Sequence, residues 1–514
     1  MEEIKRAPAA AAPAIAMPAQ ALPRTKWEEE LLQVESRLTA DPESLELRFR
    51  RGYLLSELGR FEEARSDYVK VLERESHHRG SLNNLGSVLV AMGKRSAAQI
   101  AYRAAVLRHP GDPLSRVNFG NFLLEESVAL EIQGRAREAL RFRREAREQY
   151  EQALRADENY EKAHEGLSYV LRELGEEEQA AWHRRQAFRK RYLMPLVYRG
   201  EQAPLPVLLF LSPYGGNVKL MKFLDDRVFQ ITVVLPEYYD FNTPLPPHRL
   251  VINSIGDAEV SPGALRAAQS VLALTTAPVI NSPAAVLATG RSENAARAAR
   301  LPGVVTPVTA TVPRALLATA DAATVLAEGG FTFPLLLRAP GFHTGMNFVR
   351  VEDVAELPSA LAELPGDELI VMQYLDARGA GGKSRKYRVM TIAGRLYPVH
   401  LAVSSHWKIH YFTAEMADSP EYRAEDAAFL EDMPGVLGAK AMEALTAIQA
   451  MLGLDYGGID FGLSREGEIL LFEANATMVV NPPEPDERWN YRRPAYEQIE
   501  AAIQNMLRSR MAGR

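Results

Sequence analysis

The stretch YGGIDFGLSREGEILLFEANAT, residues 456–477, decides how the rest of the chain is organised. Two alternating apolar runs, 458–463 and 469–475, flank Ser464, Arg465, Glu466, Gly467 and Glu468, a pattern that predicts an antiparallel hairpin. Setting Asp460 opposite Glu473 closes the pairing on a loop over 465–468, with Glu466 and Gly467 at its tip. Side chains alternate along a strand, so Glu473 and Asn475 share a face and Asp460 joins them from the partner strand. Two carboxylates and an amide on an otherwise apolar hairpin repel and desolvate one another unless a hard cation sits among them, and all-oxygen ligation suits magnesium. The alternative is an exposed hairpin face with ordinary polar residues; the flanking Leu, Ile and Phe argue for burial.

The chain has 514 residues, too many for one core, and two to four domains are expected. A net charge of −6 gives no field for nucleic acid. There is no cysteine, which excludes disulfides, thiolate metal sites and a protein-bound thioester, and a cytoplasmic location is expected. Residues 1–25 read as a disordered Ala/Pro-rich tail rather than a signal peptide, because Glu2 and Glu3 weaken any positive start and Pro8, Pro13 and Pro18 interrupt the apolar run. No stretch approaches the ~20 apolar residues of a membrane span, so no membrane contact is expected.

Gly52, Gly86 and Gly120 recur every 34 residues, and Leu55, Leu89 and Leu123 follow each by three. Ala64 with Ala98, and Tyr68 with Tyr102, keep the same register, and Pro110 closes a unit. These positions resemble the tetratricopeptide repeat, in which small and aromatic residues let two antiparallel helices pack closely. Residues 58–64 and 174–180 read as one inter-helix turn in two units. The third unit departs from the pattern: its second helix, at 150–154, comes about fourteen residues late, after long charged helices. A fourth unit covers about 159–191, and a preceding helix over 28–40 is anchored by Trp27. The repeat domain is expected over 26–195, with a concave surface for a peptide or protein partner or, alternatively, a role in assembly alone. Arg141, Arg143, Arg144 and Arg147 either meet an acidic peptide or form a solvated helix face, the simpler reading.

Beyond Pro195 strand and helix alternate. Runs at 206–211, 231–235, 250–253 and 279–280, with a helix over 263–274, predict a small parallel αβ domain over 204–285 that meets ligands at the carboxyl ends of its strands. Residues 333–338 form a strand ending in Arg338, followed by a loop over 339–347 whose two glycines can bring backbone N–H groups to phosphate. The run 369–376 is a further buried strand whose end can face a purine.

Asn281-Ser282-Pro283 followed by Arg291, then FPLLLR, the glycine loop, VMQYLD, KYRVMTIAGRLYP, GGIDFG and LFEANAT resemble the ordered motifs of the ATP-grasp superfamily over about 204–507. The ribosomal-protein glutamate ligase and glutathione-synthase-like branch is the nearest. The resemblance implies an α plus α/β chain: a repeat array, a pre-ATP-grasp αβ domain, and an ATP-grasp domain over 286–514 with a lid at about 300–375. It implies ATP and Mg2+, with two ions and Mn2+ as a substitute. Asp460, Glu473 and Asn475 would hold the metal. Arg291 and Arg338 would grip the phosphates where most members carry lysine, and the backbone at Thr344, Gly345 and Met346 would cap them. Tyr374 and Leu375 would meet adenine, Asp376 the ribose, and Gln373 stands where many relatives have glutamate. Arg388 would steady the transferred phosphoryl group.

Lys408, with His400 and His406, falls where relatives carry a polar loop that touches substrate; for His400 and His410 the alternative is a place within strands. Arg488, Arg492 and Arg493 either line an acceptor site or belong to a surface loop, the simpler reading. The implied activity is an ADP-forming carboxylate–amine ligase working through an acyl phosphate. Its amine co-substrate is an amino acid or another amine, and this class often forms homo-oligomers. The alternatives are an inactive nucleotide-binding scaffold or adaptor, and a ligase for small molecules whose repeats serve assembly.

Overall fold

The computed structural model describes residues 24–339, 347–409 and 415–512, which fall into two compact units divided near residue 203.

Among the described residues the first unit is built on nine helices, beginning with Arg24–Ala40. Four antiparallel pairs follow: Leu45–Glu57 with Phe61–Arg74, Arg79–Ala91 with Arg95–Arg108, Pro113–Ile132 with Ala136–Ala156, and Glu161–Glu173 with Glu177–Phe188. The 34-residue spacing governs where helices start. Ser44, His78 and Asp112 each accept the backbone N–H three residues on, meeting donors a helix N-terminus leaves open.

The spacing also sets how closely the helices pack. A Cβ at Gly52 would lie 2.9 Å from the Tyr68 ring, and one at Gly86 would lie 2.6 Å from Tyr102. In the third pair the same role falls to Gly120 and Tyr150, so the late second helix restores the contact through longer helices instead of losing it. Tyr150 is fully buried and also meets Gly166 of the fourth pair. Trp27 packs on Tyr53, as an anchor for the first helix should. Two arginines of the run are paired: Arg143 is buried against Glu131, and Arg147 contacts Glu151 and Glu176.

In the second unit the strands Leu205–Phe210, Phe229–Val234, Leu250–Asn253 and Val279–Ile280 pair in parallel. Their apolar side chains are buried on both faces, as parallel sheets require. A four-stranded antiparallel sheet follows, ordered Thr309–Pro313, Glu368–Gln373, Leu335–Arg338, Phe348–Val351, over a core that includes Leu335, Leu337, Val371 and Leu369. A third sheet runs Arg395–Ser404, Ser384–Ile392, Tyr456–Leu463, Ile469–Asn475, Val304–Val305. Helices Met433–Leu452 and Arg493–Ala512 contact this sheet.

The hairpin at 456–475 sets Asp460 opposite Glu473 as expected, but it closes one residue tighter than the expected loop over 465–468: Leu463 pairs with Ile469 and Ser464 N–H donates to the Glu468 carbonyl. The ladder shifts after Asp460, where Phe461 pairs with Leu471 and Phe472 is the extra residue of a bulge.

Candidate functional site

The chemistry of the third sheet lies in one row across four strands. His400 stands opposite Arg388, Arg388 opposite Asp460, and Asp460 opposite Glu473. Directly opposite residues of antiparallel strands share a face, so all four face the same side, and Lys386, two residues before Arg388, joins them. The flanking glycines make room for what covers this face. A Cβ at Gly458 would lie 2.4 Å from Met478, and one at Gly462 would lie 2.6 Å from Ala377.

Asp460 is fully buried. Arg388 donates to both of its oxygens, through Nε at 2.6 Å and Nη2 at 2.8 Å, and Lys386 Nζ lies 2.6 Å away. Burial alone would raise its carboxyl, but the two adjacent cations outweigh it and hold the group well below the usual carboxylate range. Burial works likewise against the charge on Arg388, and Asp460 more than offsets it. His400 is pushed well below its ordinary value by burial and by Arg388.

Glu473 is different. Its side chain is 40% exposed; it accepts from Asn475 Nδ2 at 2.9 Å and lies 3.9 Å from Arg291. Asn475 Oδ1 accepts from the Thr477 N–H and hydroxyl.

A cavity of ≈ 470 Å³ opens over this row, within the size range of sites that bury a ligand as large as a nucleotide. Arg291, Arg338, Lys386, Arg388 and Lys408 face Asp460 and Glu473 in it, five cations against two carboxylates among the described residues. Arg338 is depressed by burial and by Arg291, and Lys408 by burial, so like charges are held together here at a cost. Phe348, Tyr374 and Trp407 form an aromatic edge, with Trp407 edge-on to the other two. Arg350 stacks 4.1 Å from the Tyr374 ring centre.

The structure therefore brings Arg291, Arg338, Gln373, Tyr374, Leu375, Arg388, Lys408, Asp460 and Glu473 to one cavity. Asn475 lines a smaller one beside it, which shares Glu473. The Gln373 amide exchanges hydrogen bonds with the backbone of Thr332, both 2.9 Å, and holds two segments of the antiparallel sheet together. Asp376 does not line the cavity; it pairs with Arg378 at 2.6 Å. His400 is buried on the strand beside Arg388 and lines neither cavity, and His406 is exposed outside both. Thr344, Gly345, Met346 and His410 lie outside the described residues. Arg488 pairs with Asp486, Arg493 donates to Asn490, and Arg492 is buried against Asp426, so none of the three reaches the cavities.

Lys386 and Trp407 also line the cavity, beyond the residues the sequence singles out. Lys386 was legible as Arg388's partner at i+2 on a strand, whereas no sequence signal places Trp407 against Tyr374.

Glu473 is open to a hard cation, but Asn475 turns its Nδ2 toward Glu473 and its Oδ1 toward Thr477, so it would join as a ligand only with its amide turned. Asp460, expected as the third ligand, is instead held by protein cations: Arg388 takes both of its oxygens and Lys386 adds a second positive charge, so the buried carboxylate is neither open nor uncompensated. Among the described residues no three of His, Cys, Asp and Glu gather as a metal cluster, so the Asn475 carbonyl is needed.

In the first unit a groove is lined by Phe49, Arg50, Tyr53, His77, Asn84 and Asn118. The tetratricopeptide-repeat family profile matches residues 45–78. The helical array carries tetratricopeptide repeats. Among solved structures this chain is similar to MamA from Desulfovibrio magneticus RS-1, with 21% identity over 32% of this chain and 85% of that one, at a TM-score of 0.27. A thermophilic TPR protein of Thermus thermophilus has 21% identity over 28% and 73%, at 0.25. YrrB, described as a TPR protein with an unusual peptide-binding site, has 19% over 32% and 77%, at 0.25. No curated protein matches the chain. Tetratricopeptide-repeat domains bind peptide or protein partners. Among the described residues no helix is long and apolar enough to cross a membrane.

Proposed function

We propose that the second unit is an ATP-grasp, ATP-dependent carboxylate–amine ligase and that the repeat domain binds its peptide or protein substrate. The observation that carries this reading is the ≈ 470 Å³ cavity in which five cations face two carboxylates beneath an aromatic edge. Fixed cations crowded together are stabilised by a polyanion, the aromatic rings suit a flat base, and Glu473 remains open to a metal-bound phosphate.

In this reading Arg291 and Arg338 hold the polyphosphate and Tyr374 stacks near the base. A substrate carboxylate oxygen attacks the γ-phosphorus and ADP leaves. An amine then attacks the acyl carbon, inorganic phosphate leaves, and the amine gives up a proton. Arg388, fixed by Asp460, holds positive charge where oxyanion charge develops. Glu473 and, with its amide turned, Asn475 would hold magnesium, which supplies charge neutralisation on the phosphates.

The test is calorimetry of the full chain with Mg-ATP, followed by product analysis with candidate acids and amines. Binding and ADP formation are expected, and Glu473→Gln should abolish turnover. No nucleotide binding, or AMP as the product, would sink the proposal.

One observation favours a second reading. Both Asp460 oxygens are already taken by Lys386 and Arg388, as suits a nucleotide-binding scaffold without turnover. Tight Mg-ATP binding with no ADP formed across peptide and amine pools would select it.

A further inference from the structure

The smaller cavity beside the cationic one, ≈ 70 Å³, has the opposite character. The two share a wall that includes Arg291, Phe472 and Glu473. Among the described residues that line it, the carboxylates Asp257, Glu259 and Glu473 face Arg291 as the one cation. The carboxylates are held in place: Asp257 Oδ1 accepts the N–H groups of Glu259 and Val260 at 2.8 and 3.0 Å, and Glu259 Oε1 accepts the Arg291 N–H at 3.1 Å.

Asn294 also lines this cavity and is only 5% exposed. Its Nδ2 donates to the Ala474 carbonyl, and since a carbonyl only accepts, the two ends of the amide are fixed. Oδ1 is then left as a buried acceptor with no hydrogen-bond partner. Such an atom is destabilising unless a donor meets it. A cavity of this size admits a small group, and an excess of carboxylates selects a cationic one.

We propose that this cavity binds a primary alkylammonium head, with its N–H donors on Asn294 Oδ1 and the Glu259 carboxylate. Its role as the acceptor-amine subsite rests on the ligase reading above, whereas its ligand chemistry rests on the orphaned acceptor and the charge of the walls. The shared Glu473 wall would set the amine next to the phosphate-binding cations.

The test is ligand-observed NMR on the full chain with n-butylammonium chloride, using 1-butanol and butyrate as size-matched neutral and anionic controls. Saturation transfer is expected for butylammonium and not for the controls. Affinity should fall about tenfold in Asn294→Leu, the loss of a hydrogen bond to a charged group, and fall also in Glu259→Gln. Equal transfer from butylammonium and 1-butanol overturns the proposal, as does a butylammonium signal that both variants leave unchanged. If Asn294→Leu fails to fold by circular dichroism, Glu259→Gln on the exposed rim decides alone.

Calorimetry with Mg-ATP separates the two readings. A butylammonium response without nucleotide binding removes the ligase and keeps the subsite; nucleotide binding without that response removes the subsite and keeps the ligase.

Discussion

Asp460→Asn is the most informative single change, because it separates a buried structural anion from Glu473, the exposed carboxylate opposite it. The carboxylate is fully buried and compensates Arg388 and Lys386 at 2.6 to 2.8 Å. Removing one partner of a buried ion pair usually costs about 3–5 kcal/mol. Here the cations keep 24% and 23% of their side-chain surface exposed, so water in the cavity recovers part of the loss and about 3 kcal/mol is expected. Glu473→Gln removes a charge whose side chain is 40% exposed with its nearest cation 3.9 Å away, and should change stability by less than about 0.5 kcal/mol.

The assay is urea unfolding by fluorescence in a Trp27→Phe, Trp182→Phe background, where the remaining Trp407 and Trp489 both report on the second unit. Adding Lys386→Met should return at least about 1 kcal/mol of the Asp460→Asn loss, since the pair is coupled. Equal effects of Asp460→Asn and Glu473→Gln would refute the reasoning, and so would an Asp460→Asn loss that Lys386→Met leaves untouched.

In the repeat domain, Gly166→Ala would put a Cβ 2.3 Å from the fully buried Tyr150 ring and should destabilise the first unit by about 1–3 kcal/mol in thermal unfolding; an unchanged midpoint would mean that the helices are not in this contact. His164 and His183 meet Nδ1 to Nδ1 at 2.8 Å, with His164 Nε2 on the Glu158 carbonyl. Burial depresses both, and His164 adds to the effect on His183, which falls to about 4. The unfolded chain therefore binds protons first, and stability of the first unit should drop as pH falls from about 6.5 toward 4; His183→Gln should flatten that slope in pH-dependent denaturation. Arg338→Met relieves a cation crowded by burial and Arg291, so it should leave stability equal or higher while weakening Mg-ATP binding about tenfold by calorimetry.

Much of the architecture was written locally. The 34-residue spacing of Gly52, Gly86 and Gly120 with Tyr68 and Tyr102 specifies helix pairs, because a small residue facing a ring is a local steric requirement that repeats with the helices. Strand alternation likewise specifies that Glu473 and Asn475 share a face, but the Asp460–Glu473 pairing also needs the bulge at Phe472, which no local pattern marks. What no local pattern could specify is which partner meets a charge. The cations beside Asp460 come from a strand 72 to 74 positions away in sequence, and only sheet order delivers them, so the compensation expected of a metal is met by Lys386 and Arg388. The orphaned Asn294 acceptor, 180 residues from the Ala474 carbonyl that fixes it, likewise exists only once the chain has folded. Side-chain type and period are properties of neighbours in sequence, whereas charge balance and hydrogen-bond satisfaction are properties of neighbours in space.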